Sequence, residues 1–322
     1  MKHEFIKGKK VLIAGGAGLV GQNLVRVLMD LGALVSATYC TKKPLNNPDL
    51  YGHADLTRFD DCLSVTKGMD VVICCAAKSF GAKMMKENPS AAVLPNLTIT
   101  TGLLEACRIN RVHKIIIISS STVYQPANYP IGEHELDLNQ EPFKAYAAVG
   151  WLNRYIEQLA RFYYQQYQMP IGIIRASNIY GPHDKFDDER SNVLPALIKR
   201  ALAKPTPFEV WGDGQAVRDF IFVDDFIEDL LDVLEKHCVA DPVNSGNGQP
   251  MSIAQAAKII LEVCQHQAPL VFDPTKPSAI PYRMISIAKL EAIAGKRQRT
   301  AFIDGIKKTV DWYQEAMKVT TR

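Results

Sequence analysis

An apolar run, Val11-Leu12-Ile13-Ala14, breaks directly into Gly15-Gly16-Ala17-Gly18-Leu19-Val20-Gly21, and the residues that follow have helical periodicity. No other feature restricts the fold as strongly. In a Gly-x-x-Gly-x-x-Gly turn between a strand and a helix, Gly15 permits the tight turn. Gly18 lets backbone N–H groups approach a pyrophosphate, and Gly21 lets helix and strand pack closely. The first helical residues, Leu19 and Val20, then present the positive end of the helix dipole to phosphates. The spacing therefore predicts a dinucleotide site at the start of a parallel sheet.

The pattern downstream agrees. Short Val/Ile/Leu runs at Lys10–Ala14, Ala33–Tyr39, Val71–Cys75, Lys114–Ser119 and Ile171–Ala176 read as strands covered on both faces. Amphipathic stretches at Leu19–Leu31, Ala91–Asn110 and Tyr146–Tyr167 read as the crossover helices between them. The expected class is α/β: a Rossmann-type doubly wound parallel sheet with a smaller C-terminal α/β domain. Residues 1–180 form the first domain, completed by segments near 218–245, and 181–322 form mainly the second. The polar connection Asp184-Lys185-Phe186-Asp187-Asp188-Glu189-Arg190 marks the change of character. Helices are expected from Ser191 and near Asp225–His237, Ser252–His266 and Asp304–Met317.

Composition removes several classes. A net charge of +3, with no basic run interleaved with aromatics, argues against nucleic acid as a partner. Seven cysteines without a Cys-x-x-Cys pair argue against a disulfide framework and a zinc site, and no metal is expected. No apolar stretch reaches membrane-spanning length and none resembles a signal segment, so the chain reads as cytoplasmic.

The end of the second strand selects the dinucleotide. An acid there would hold the ribose hydroxyls of NAD, but the chain reads Tyr39-Cys40-Thr41-Lys42-Lys43. Lys42 would attract a 2′-phosphate, which favours NADP(H), with NAD(H) as the other option. Asp55-Leu56 stands where a carboxylate would reach the adenine amino group.

Further motifs accumulate along the chain: Ala76-Ala77-Lys78, Ser119-Ser120-Ser121-Thr122-Val123-Tyr124 and Asn178-Ile179-Tyr180-Gly181-Pro182-His183-Asp184. Val193-Leu194-Pro195-Ala196-Leu197, Trp211-Gly212-Asp213-Gly214, Arg218-Asp219-Phe220, Val223-Asp224-Asp225 and Asp273-Pro274-Thr275-Lys276-Pro277 follow in order. With these the chain resembles the extended short-chain dehydrogenases, and in particular their GDP-L-fucose synthase branch. The resemblance implies a nucleoside-diphosphate sugar as substrate, GDP-linked in that branch. It would be held between the domains by Asn178, Val193, Leu197, Arg200, Trp211, Arg218 and Arg283. Arginines suit a diphosphate because their planar donors pair with its oxygens. It also implies a homodimer built on the helices at Ala91–Asn110 and Tyr146–Tyr167.

The family's chemistry needs a Ser/Thr, a Tyr and a Lys one helical turn after that Tyr. Ser120, four residues before Tyr124, fits the first role. Tyr146 is the obvious tyrosine, yet its i+4 partner is Gly150. A second register matches the family's Glu with Glu157 and puts Val149 at the tyrosine position and Asn153 at the lysine position. There Asn153 would keep a hydrogen bond to the nicotinamide ribose. Tyr146 and Val149 share a helix face, about 4.5 Å apart along the axis, so Tyr146 is the provisional proton donor. Lys78 and Lys144 are other candidates for the missing cation. The positions of the family's epimerising Cys and His carry Thr122 and Asn192, and the Asp-Glu pair of a dehydratase is absent. Double epimerisation and dehydration are thus disfavoured. Hydride transfer at a sugar carbon, as a reductase or 4-epimerase, remains. A scaffold that binds dinucleotide but serves a regulatory or partner role is the alternative.

Overall fold

The computed structural model describes residues 2–41, 44, 46–78, 88, 90–187, 191–276 and 280–320. Lys42, Lys43, Asp188, Glu189, Arg190 and Pro277, named above, lie outside the described residues.

Five apolar runs form the centre of a parallel sheet: β1 (Lys10–Ala14), β2 (Leu34–Tyr39), β4 (Val71–Cys74), β5 (Lys114–Ser120) and β6 (Ile171–Ala176). Two short strands, β3 (Tyr51–His53) and β10 (Val243–Ser245), close its edges, giving the order β10-β6-β5-β4-β1-β2-β3. All the pairings are parallel. Ile115, Ile116, Ile173 and Ile174 are completely buried, as expected for strands with helices on both faces. On one face lie α1 (Leu19–Asp30) and α6 (Val223–Lys236); on the other lie α2 (Phe59–Thr66), α3 (Val93–Ile109) and α4 (Ala147–Tyr167). Leu24 and Leu28 of α1 and Leu230 and Leu231 of α6 share one core, whereas Leu104 of α3 and Ile156 of α4 share the other.

A second sheet forms from β7 (Asn178–Tyr180), β9 (Val217–Phe222), β11 (Pro250–Ser252) and β13 (Tyr282–Arg283), with β9 at its centre. Strand β9 thus belongs to the smaller sheet, while the α6 and β10 that follow it return to the large one. A third, two-stranded sheet pairs β8 (Phe208–Trp211) with β12 (Leu270–Asp273). The remaining helices are α5 (Val193–Leu202), α7 (Ile253–Val263), α8 (Ala288–Ala294) and α9 (Phe302–Thr320). The second sheet and α5 follow the carboxyl end of β6, so they flank the sheet edge where open α/β folds bind ligands. Among the described residues no helix is long and apolar enough to cross a membrane.

Candidate active site

The glycine turn is built as its spacing requires. Gly15 has φ +82°, and a Cβ on it would stand 2.5 Å from the Ala76 Cα. Its N–H donates to Thr38 Oγ1 at 2.8 Å, tying the turn to β2. Gly18 caps α1 and is exposed, so the helix N-terminus at Leu19 and Val20 is open. Gly21 is buried against the Gly16 backbone. Ala76 and Ala77 continue the carboxyl end of β4 without bulk. The backbone of the exposed Lys78 is held there by reciprocal hydrogen bonds with the Asn96 amide, at 2.7 and 3.0 Å. An open helix N-terminus facing small residues fits a pyrophosphate. Asp55 Oδ1 accepts from the Thr57 hydroxyl and N–H, which holds its carboxyl below the usual range. Leu56 is a core residue.

At the carboxyl end of β5 the chain turns through a single 3₁₀ turn, Ser121–Val123. Ser120 caps it, its Oγ accepting from the Thr122 N–H at 3.2 Å. The hydroxyls of Ser121 and Thr122 are closed off from solvent and have no hydrogen-bond partner. Helix α4 is pinned beneath this turn by Arg154, which donates to the carbonyls of Val123 (2.7 Å) and Gln140 (2.6 Å). The approach is close at Gly150, where a Cβ would lie 2.6 Å from both the Thr122 carbonyl oxygen and the Pro142 Cβ. Deeper, Glu157 bonds both the Ser119 hydroxyl (2.6 Å) and the Arg175 guanidinium (2.7 and 2.9 Å). Arg175 reaches Tyr124 Oη at 2.7 Å, and that hydroxyl donates to Asn244 Oδ1 at 2.7 Å. A buried ion pair with this many hydrogen bonds fixes geometry more than it adds stability.

Above the turn sits a pair of arginines. Strands β13 and β9 run side by side with Arg283 opposite Arg218. Arg283 Nη2 donates to Asn178 Oδ1 at 3.1 Å, and Asn178 Nδ2 donates to the Asp219 carbonyl at 2.8 Å. The Arg283 guanidinium lies over the Tyr146 ring, 5.0 Å from its centroid. Its Nε and Nη1 are closed off from solvent and unpaired. Arg218 is 8% exposed and donates from Nη1 to the neighbouring Val217 carbonyl at 2.7 Å. Among the described residues no carboxylate lies in salt-bridge range of either arginine. Burial, then the charge of Arg283, pushes Arg218 down to about 10, and burial lowers Arg283 as well. Thr122, Phe143, Tyr146, Arg283 and Met284 line one cleft here. Of the two guanidiniums, Arg283 lines this cleft, and neither has a carboxylate partner among the described residues.

The other expected residues are spread more widely. Asn192 and Val193 begin α5 and are exposed; Leu197 points into the core; Arg200 donates to the Glu209 carbonyl. Trp211 is exposed at the end of β8. Asn153 turns its amide back onto its own helix, donating to the Val149 carbonyl at 3.0 Å. Lys144 is exposed in the 3₁₀ turn before α4. One group of metal-type side chains occurs among the described residues, His3, Asp232 and Glu235. Asp232 is already bonded by Lys236 (2.8 Å) and Arg297 (2.6 Å), so the chain's own cations neutralise it.

Sequence reasoning missed β3, α2 and β7, which are short, and the Arg175–Glu157–Ser119 network. It also missed the Arg283–Tyr146 contact, because the two residues are 137 positions apart and meet only in the folded chain. Three arginines at motif positions were the available signal.

This architecture and site define a class, and comparison with known proteins bears it out. The chain belongs to the NAD dependent epimerase/dehydratase family, whose model matches residues 11–246. It is thus a member of a family of NAD(P)-dependent sugar-nucleotide epimerases and reductases. GDP-L-fucose synthase 1 of Arabidopsis thaliana is 31% identical over 313 residues, covering 95% of this chain and 94% of that protein. The UDP-N-acetylglucosamine 4-epimerase of Methanobrevibacter ruminantium, solved with UDP-N-acetylmuramic acid, superposes with a TM-score of 0.85 at 25% identity. It covers 97% of this chain and 100% of that one. The NADP-bound GDP-L-fucose synthetase of Naegleria fowleri gives 0.81 at 24% identity, over 97% and 96%.

Proposed function

We propose that the protein transfers hydride at C4 of the sugar in a nucleoside-diphosphate sugar, with NADP(H) as the favoured dinucleotide, as a reductase or 4-epimerase. The observation that carries this reading is the carboxylate-free pair Arg218 and Arg283 beside Tyr146, at the carboxyl edge of the sheet and next to the Ser120 turn. A diphosphate supplies the charge that the pair lacks, and its capture places the attached sugar over Ser120 and Tyr146. The related GDP-L-fucose synthases favour GDP as the nucleotide.

The dinucleotide, bound at Gly15, Gly18, Leu19, Val20 and Gly21 with Ala76, Ala77, Asp55 and Leu56 at its edges, supplies or accepts the hydride. Lys42 is the residue expected to meet a 2′-phosphate. Ser120 hydrogen-bonds the reacting oxygen, and Tyr146 gives a proton to it or takes one from it. Asn153, whose carbonyl oxygen remains for a ribose hydroxyl, orients without adding charge. Trp211, Arg200, Val193 and Asn192 are the residues assigned to the nucleotide, and Lys78 and Thr122 those assigned to the sugar. The exposed faces of α3 and α4, with Leu94, Tyr155 and Phe162, are the proposed homodimer contact.

The test is absorbance at the nicotinamide band with NADPH or NADH and a panel of 4-keto sugar nucleotides. Proton NMR of nucleotide sugars incubated with catalytic dinucleotide detects the redox-neutral epimerase. Ser120→Ala should abolish turnover while leaving dinucleotide affinity within about twofold. Dinucleotide binding with neither reaction on any sugar nucleotide would overturn the reading and favour a binding or regulatory role.

A further inference from the structure

Position 153 carries Asn, so the helix that should place a cation beside the reacting tyrosine has none. The structure shows a cation at another face of Tyr146. Arg283 arrives from β13, lies 5.0 Å from the ring centroid, and is held through Nη2 by Asn178 Oδ1 at 3.1 Å. Asn178 is in turn fixed to the backbone of β9 through the Asp219 carbonyl. The ring is therefore held between the start of α4 and a guanidinium anchored in the second sheet. Two of the guanidinium donors, Nε and Nη1, remain unpaired.

We infer that Arg283 is the positioning residue for Tyr146, and that it couples capture of the substrate's diphosphate to placement of the phenol. A planar guanidinium can stack on a ring through its face while its edge donates to phosphate oxygens. One group thus touches both the tyrosine and the anion. An anion that displaces the side chains covering Nη1 sets the plane of Arg283, and the Tyr146 ring follows that plane. Binding energy from a part of the substrate remote from the reaction is then spent on orienting the proton donor. Lysine cannot do the same, since its ammonium is a point charge without a stacking plane.

This inference rests on the proposed role of Tyr146, and a double-mutant cycle separates the two. Steady-state kinetics are measured for the wild type, Tyr146→Phe, Arg283→Lys and the double variant, with a nucleotide sugar that turns over. Arg283→Lys should raise KM in both backgrounds, because contact with the diphosphate does not need the phenol. It should lower kcat about tenfold with Tyr146 present and less than about twofold in the Tyr146→Phe background, the coupling expected of residues acting as a unit. Equal kcat losses in the two backgrounds would reduce Arg283 to a diphosphate ligand and overturn the inference. Full activity in Tyr146→Phe alone would instead overturn the role of Tyr146 itself.

A second measurement needs no folded Arg283 variant. In protein carrying 3-fluorotyrosine, the Tyr146 resonance, assigned by its loss in Tyr146→Phe, should shift as pyrophosphate is titrated in. Binding without any movement of that resonance would refute the coupling.

Discussion

A buried guanidinium with no acid to neutralise it should make the ligand-free protein less stable than it needs to be, and Arg218 is where this can be measured. Its value of about 10 reflects burial first and the charge of Arg283 second. At 1.36 kcal/mol for each tenfold change, the distance from the ordinary guanidinium value is about 3 kcal/mol against folding. Arg218→Met keeps the aliphatic stem and volume but removes the charge. It also removes the bond from Nη1 to the Val217 carbonyl, a loss of about 1 kcal/mol. The net expectation is a gain of roughly 2 kcal/mol, or about 4 °C in Tm for a chain of this length. The folded value is depressed, so the penalty is complete at every pH below about 10 and is relieved only as pH rises past it. The gain should therefore be flat from pH 6 to 9. Calorimetry without ligand measures it. Repeating the scan with a nucleoside diphosphate should reverse the order, because the wild type alone gains the binding term, about 2.7 kcal/mol at a hundredfold excess over Kd. A variant that is less stable than the wild type without ligand would refute the reasoning, since it would mean that the fold satisfies Arg218 by itself.

Two other changes probe the ground around the site. Burial raises Asp184 to about 6, and its Oδ2 has no partner. The raised value means stability that is complete below about pH 4 and is lost as pH rises through 6. Asp184→Asn should thus match the wild type in denaturant melts at pH 4 and exceed it by about 3 kcal/mol at pH 7.5; no difference at pH 7.5 would count against it. Gly150→Ala places a methyl 2.6 Å from the Thr122 carbonyl oxygen. It should cost about 1–3 kcal/mol by overpacking and lower kcat by moving the Ser120 turn; unchanged Tm and kcat would show that α4 can shift freely.

The large sheet and its glycine turn were legible because each rests on local signals: runs of Ile and Val for doubly covered strands, and glycines where a side chain would strike Ala76. Tyr51–His53 and Asn178–Tyr180 were not, because three-residue strands carry no periodicity and form only when a neighbour offers a ladder. The site was legible as a set of residue types but not as contacts. Arg218, Arg283, Asn178 and Tyr146 were each named from motifs. That the last two meet the same guanidinium is a long-range fact: β13 and β7 both pair with β9, which brings Arg283 to Asn178, and the turn before α4 brings Tyr146 to Arg283. Asn153 differs in the other direction: motif position suggested a ribose contact, and the helix itself takes the amide donor.

The two alignments of the Tyr-x-x-x-Lys pair differ in a way that sterics can judge. If Tyr146 stood at the family's tyrosine position, Gly150 would stand at its lysine position, and a lysine there would put its Cβ 2.6 Å from a backbone carbonyl. No flexible tip is involved, so α4 could not keep its present distance from the Ser120 turn. The alignment with Val149 and Asn153 meets no such obstacle. It leaves the catalytic pair empty and puts Tyr146 one turn early, where Arg283 rather than a helical lysine faces its ring. The double change Val149→Tyr with Asn153→Lys tests this directly. It should supply a second proton donor, so that adding Tyr146→Phe to it costs less than about threefold in kcat, against tenfold or more in the natural chain. If Tyr146→Phe is equally damaging in both chains, position 149 does not face the reacting oxygen, and the first alignment must be reconsidered despite its clash.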